Sequence, residues 1–262
     1  MRVVSSELVR LRSRSFLLGG IGLMAFFGLA ATAVVFFAVS GGSAASLPRA
    51  DQVSPAALEA ADGMFVGLRS FVGMLGVVAL VIWAMSVTSE YASGLIRLLV
   101  QAEPRRLRLL AGKVVALVLF TCLGTLVAMV VVTMAAPPLA GAAGISAEAW
   151  TGDIAGTLVR TYVEVTASVL LWGLVGLLVG VLTRSTGVAV GIGIGYLLLF
   201  EGLASMLLEG AAKWLPGSVF SVIASGGTET MSLGTALALG IAYAAAALAV
   251  AAVTFARRDI TA

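Results

Sequence analysis

Six apolar stretches, each near the length that crosses a bilayer, set what this chain can become: residues 16–40, 64–86, 114–136, 156–182, 187–208 and 235–256. A helix rises 1.5 Å per residue, so ~20 apolar residues cover the ~30 Å of hydrocarbon. Within that layer the backbone has no water to bond, and a helix satisfies its own N–H and C=O groups. The expected fold is therefore an all-α integral membrane protein with six transmembrane helices, forming one transmembrane domain over 1–262. All six prolines (Pro48, Pro55, Pro104, Pro137, Pro138 and Pro216) fall between the stretches. Proline removes a helix hydrogen bond, so its placement independently predicts the same boundaries.

Composition narrows the function classes. Only 11% of residues are charged, against ~25% in a soluble domain. There is no histidine, which removes His-based acid–base catalysis and most zinc sites. The lone Cys122 allows no intrachain disulfide or thiolate cluster. No cofactor or metal is expected on this chain.

Lysine and arginine give the orientation. With both termini inside, cytoplasmic segments carry Arg2, Arg10, Arg12, Arg14, Arg97, Arg105, Arg106, Arg108, Lys113, Arg184, Arg257 and Arg258. The outer loops carry Arg49 and Lys213. Twelve against two is a strong positive-inside asymmetry. The net charge of +3 thus reports topology and contact with anionic membrane lipids, and no nucleic acid partner is expected. The first apolar run of 25 residues exceeds the h-region of a signal peptide, so it reads as a span. Residues 2–14 put Val4, Leu8 and Leu11 on one face, as in an interfacial amphipathic helix; a plain basic flank is the simpler reading. Loop 209–234 is outside yet apolar around Trp214-Leu215-Pro216, which suits short extracellular helices before the last span.

The segment 87–113 is the most informative. At 100° per residue, Glu90, Gly94, Arg97 and Gln101 share a narrow polar face, opposite Tyr91, Leu95, Leu98, Leu99 and Ala102. Pro104 disfavours helix at Glu103 and suits the start of a new one. The expectation is a short helix parallel to the membrane, a break, and a basic helix rising through Lys113. Such a stripe is ordinarily a solvated face. However, Glu90-Tyr91, Gly94, Ile96-Arg97, Pro104-Arg105-Arg106 and Lys113 resemble the signature after the second span of type-2 ABC transporter permeases, particularly actinobacterial members. The likeness covers essentially the whole chain, with Leu95 departing from the Thr often found after that glycine.

The resemblance implies a permease subunit of an ATP-driven exporter in the bacterial cytoplasmic membrane. Residues Glu90, Tyr91, Gly94, Arg97, Gln101, Pro104, Arg105 and Arg106 would form a coupling helix seated on a separate ABC ATPase subunit. Two ATPase copies, which carry ATP and Mg, would serve two permease chains, the same or sister. The chain itself has no G-x-x-x-x-G-K-S/T loop; Gly112-Lys113-Val114 lacks the second glycine and the hydroxyl, and Lys113 reads as a lysine at the headgroups. A gradient-driven transporter and a non-transporting scaffold or immunity protein are the alternatives. The former ordinarily shows internal repeats, and no convincing one is present.

Two further sets stand out. Gly187, Gly191 and Gly195 recur at i, i+4 and i+8, a smooth face for packing within the chain or across a permease dimer. Gly173, Gly176 and Gly180 allow the same two readings. Arg69, Arg160, Glu164 and Glu201 lie inside spans, where a charge costs ~2.5–3.5 kcal/mol at the bilayer centre and needs water or a partner. Arg160 and Glu164 sit one turn apart; Glu201 has no charged neighbour in sequence, and Arg69 or Arg160 is its expected partner.

Overall fold

The structure, a computed structural model, describes residues 14–46, 53–102, 105–196, 200–207 and 210–257. It is an all-α, multi-pass bundle. In chain order the α-helices are α1 (Arg14–Ser40), α2 (Pro55–Glu59), α3 (Val66–Ser70), α4 (Val72–Ala92), α5 (Leu95–Ala102) and α6 (Arg106–Ala143). They continue with α7 (Ile154–Thr183), α8 (Thr186–Gly195), α9 (Glu201–Leu207), α10 (Pro216–Ala224) and α11 (Leu233–Arg257). Five of these, α1, α4, α6, α7 and α11, are long and apolar enough to cross a membrane. Helix α4 is the most enclosed, with 61% of its apolar window buried, and α11 the most peripheral, with 22%.

The centre is a parallel seam between α4 and α7. Small residues let the two backbones approach: a Cβ on Gly176 would strike the Leu80 backbone, and one on Gly180 would lie 3.0 Å from the Ala84 backbone. The indoles interlock reciprocally, since Gly76 lies under Trp172 and Gly173 under Trp83. The Gly173, Gly176 and Gly180 face is therefore packing within the chain. A second parallel pair, α1 and α6, meets through Gly20 at Phe120, Met24 at Gly124 and Gly28 at Ala128. Helix α6 runs antiparallel to α4, with Trp83 Nε1 donating to Thr121 at 3.0 Å.

Several boundaries differ from the sequence reading. The third helix passes through Pro137 and Pro138 and ends only at Gly144, where φ is +70°. Its buried face continues through Ala136 and Ala140, so packing outweighs the ~3 kcal/mol of an interior proline. The second span is broken at Phe71, and the long helix starts at Val72 rather than 64. That helix extends to Ala92, because Gly94, at φ +70°, supplies the left-handed stop only there. The fifth stretch, 187–208, is two helices, α8 and α9, with 197–199 outside the described residues. The helix expected at 2–14, apart from Arg14, and Pro104 also lie outside the described residues.

The space beside Gly187, Gly191 and Gly195 is open among the described residues: a Cβ at any of the three would meet nothing within 4 Å. Gly176→Ala should therefore destabilise the purified protein by about 1–3 kcal/mol, as overpacking does. Gly191→Ala should leave it unchanged or slightly more stable. Thermal unfolding in detergent checks this; equal effects at the two positions would refute the seam.

Candidate functional site

The bundle has a polar cluster at each end. At the first, which we call the arginine end, the break at Phe71 leaves Arg69 on the one-turn helix α3, turned towards α7. Its guanidinium donates to Asp62, to Thr161 Oγ1 at 2.7 Å and to Glu164 Oε2 at 3.0 Å. Arg160 Nε donates to the other oxygen of Glu164 at 2.8 Å. Glu164 is thus shared by two guanidiniums, one buried (Arg69, side chain 11% exposed) and one at the surface (Arg160, 65%). The turn after α10 closes over them. Gly226 has φ +74°, and a Cβ there would lie 2.7 Å from Arg160 Nη2 and 2.9 Å from Glu164 Oε1.

Beside this network lies an open cleft of about 780 Å³, walled by residues 57–70 and 213–231. Ligand sites span roughly 300–1,000 Å³, so the volume suits a small molecule. Asp62, Arg69, Lys213 and Glu229 line it, together with hydroxyls such as Ser218 and Thr228.

Glu201 belongs to the same end but not to that network. Its Oε1 accepts from the Tyr196 hydroxyl at 2.9 Å and from the amide of Gly217 at 2.6 Å. Gly217 is in the first turn of α10, where free N–H groups and the helix dipole favour an anion. The partnership expected with Arg69 or Arg160 is therefore corrected: both arginines bond Glu164, and Glu201 holds a helix N-terminus. Only its position near α10 in space, invisible in sequence, explains this.

At the opposite end, the lysine end, Lys113 Nζ donates to Glu90 Oε1 at 2.6 Å and to the Ser86 carbonyl at 3.1 Å. Both side chains are below 10% exposed. Lys113 is thus buried in an ion pair rather than set among headgroups. Glu90 and Tyr91 end α4, whereas Arg97 and Gln101 lie on α5 beyond the Gly94 turn, so the single polar face drawn through Glu90, Gly94, Arg97 and Gln101 is split between two elements. On α5, Ile96 is buried against the pair, while Leu98 and Gln101 are exposed. Arg105 caps the start of α6, and Arg106 Nη1 reaches the carbonyl of Ala256 at 3.2 Å, tying α6 to the end of α11. Arg184, at φ +56°, ends α7 with its guanidinium 5.1 Å from the Tyr91 ring centroid.

Among the described residues no group of three or more His, Cys, Asp or Glu side chains is placed to hold a metal ion. The chain belongs to the family described as protein of unknown function DUF2705, whose sequence model matches residues 50–261. A comparison with curated proteins returns no match.

Removing one partner of a buried pair leaves an uncompensated charge, at about 3–5 kcal/mol, whereas an exposed pair is worth about 0–1 kcal/mol. Glu164→Gln should therefore lower the unfolding temperature sharply and Arg160→Gln hardly at all, although both break the same contact. Glu201→Leu should cost about 0.5–2 kcal/mol, the range of a lost N-terminal cap. Differential scanning fluorimetry of the three variants reads all of this, and comparable losses for Arg160→Gln and Glu164→Gln would refute the assignment.

Proposed function

We propose that the chain is the membrane subunit of an ATP-driven exporter of the type-2 ABC class, working as a dimer of permease chains above two separate ATPase subunits. The observation that carries this reading is the elbow at the lysine end. An eight-residue amphipathic helix, α5, joins two long helices whose ends are clamped to one another by the buried Glu90–Lys113 pair. A helix tethered so closely is a lever: force applied to its exposed face, at Leu98 and Gln101, reaches α4 and α6 together. In this reading the partner's ATP-driven closure pushes α5, and the pathway switches from inward- to outward-facing.

The reading includes a sixth crossing by residues 186–207. Two contacts support it. Thr186 bonds the hydroxyl of Thr88 at 2.6 Å, near the lysine end, while Glu201 bonds Gly217 at the arginine end. In this reading the chain between them crosses the membrane. An even number of crossings leaves both termini on one side; the Lys and Arg asymmetry supports the cytoplasmic side, and the resemblance to permeases supports a bacterial inner membrane. Helix α10 is then an extracellular element and the cleft opens outward.

Topology and energy source are tested separately. With Cys122 replaced by Ser, Thr230→Cys should react with an impermeant maleimide on intact cells, and Ser93→Cys should not. Labelling of Ser93→Cys from outside overturns the orientation. The purified chain in proteoliposomes should hydrolyse no ATP alone. Leu98→Asp should weaken co-purification with a co-expressed P-loop ATPase without changing thermal stability. Transport driven by a proton or sodium gradient, with no ATPase present, would defeat the proposal.

A further inference from the structure

The cleft at the arginine end offers a ligand an unusual balance of charge. Four ionisable side chains line it: Asp62, Arg69, Lys213 and Glu229. Arg69 is committed, since its guanidinium already serves Asp62, Thr161 and Glu164. Lys213 and Glu229 are not. Among the described residues neither forms an ion pair, and the ammonium of Lys213 rests 5.5 Å from the Trp214 ring centroid. The groups left to a ligand are thus one cation and one anion, and the hydroxyls of Ser218, Thr228 and Thr230 line the same cleft.

A ligand carrying only negative charge would meet Lys213 but also Glu229 and the half-exposed Asp62. One carrying only positive charge would gain the carboxylates and face Lys213 and Arg69. A zwitterion answers both. We infer that this cleft binds a small zwitterion, its carboxylate or phosphate on Lys213 and its primary ammonium on Glu229, supported by the hydroxyls. Charge-assisted hydrogen bonds of this kind are about twice as strong as neutral ones. The inference deepens the transport reading by naming a ligand class at this end, and rests on that reading only for the direction in which the ligand moves.

Two sources supply this chemistry: a soluble peptide with free termini, or the headgroup of phosphatidylethanolamine. The test uses the full chain in phosphatidylglycerol nanodiscs, without any ATPase, titrated calorimetrically with trialanine, N-acetyl-trialanine and trialanine amide. Trialanine should bind saturably and each blocked derivative about tenfold more weakly, the order of one lost charge-assisted hydrogen bond. Lys213→Gln should erase the preference for the free carboxylate and keep that for the free amine; Glu229→Gln should do the reverse. Neither variant should shift the unfolding temperature, because neither residue has an intramolecular ion-pair partner among the described residues. Phosphatidylethanolamine in the disc should weaken trialanine binding if the headgroup is the natural occupant and leave it unchanged if the occupant is soluble. Native mass spectrometry of the detergent-purified chain should, in the former case, retain phosphatidylethanolamine over phosphatidylglycerol. Equal affinity for the three peptides overturns the inference. So does the absence of both trialanine binding and any preference for phosphatidylethanolamine. Because no step requires ATP or a partner, failure of the exporter reading would leave this result standing, and the converse holds.

Discussion

The close seam between α4 and α7 is the constraint from which the rest of this structure follows. In lipid, apolar surface is not driven together as it is in water, so helices associate through van der Waals packing and polar contacts. Glycines at 176 and 180 bring α7 onto the backbone of α4, and Trp83 and Trp172 fill the spaces that Gly173 and Gly76 leave. A seam this tight has one register. That register brings Arg69 beside Thr161 and Glu164 at one end and Thr88 beside Thr186 at the other. The polar clusters are therefore consequences of the packing: a shift of one helical turn, about 5.4 Å, would separate every pair at once.

The two ends use buried charge differently. Glu90 and Lys113 form a buried, closed pair in which the lysine also bonds the Ser86 carbonyl. Its desolvation is repaid locally, and its effect is to make an elbow rigid. The cluster around Glu164 is open. One of its arginines is at the surface, Asp62 is half-exposed, and a glycine turn lies directly over it. Closed pairs favour transmission of force, and open ones tolerate rearrangement when a ligand or water arrives.

How much of this was legible follows from the range of each interaction. Five of the six apolar stretches correspond to membrane-spanning helices because hydropathy is a local property. The i,i+4 pair of Arg160 and Glu164 was legible for the same reason. What sequence could not supply were partners set by tertiary register: Arg69 is 92 positions from Thr161, and Glu201 bonds an amide 16 positions away. Boundaries failed where packing overrode propensity. Pro137 and Pro138 mark a stop by propensity, but the buried alanines around them carry the helix on. Helical periodicity places Glu90 on a solvated stripe with Arg97 and Gln101, but the left-handed backbone of Gly94 ends the helix between them.

The seam also gives the elbow and the cleft a physical connection. Helix α4 begins just after Arg69 and carries Glu90 in its last turn, and α7 carries Arg160 in its second turn and ends near Tyr91, where Arg184 covers the ring. Displacing the lysine end of α4 alone would drive Leu80 and Ala84 into the glycines of α7. The interlocked indoles resist sliding, so the two helices respond as one body. A rigid pair that tilts at one end must move at the other, and there it carries Arg69 and Glu164 beneath the turn at Gly226. That turn, Lys213 and Glu229 belong to the chain on either side of α10, whose N-terminus bonds Glu201 and whose Val219, Phe220, Val222 and Ile223 are buried with Leu80 and Trp172 of the seam, Phe220 edge-on to the indole at 5.3 Å. Both segments that line the cleft are thus attached to the seam, one through Arg69 on Glu164 and the other through α10 and the turn at Gly226. A tilt of the seam would therefore carry both lining segments, and any change in the cleft would come from the chain before α10, which the seam holds least directly.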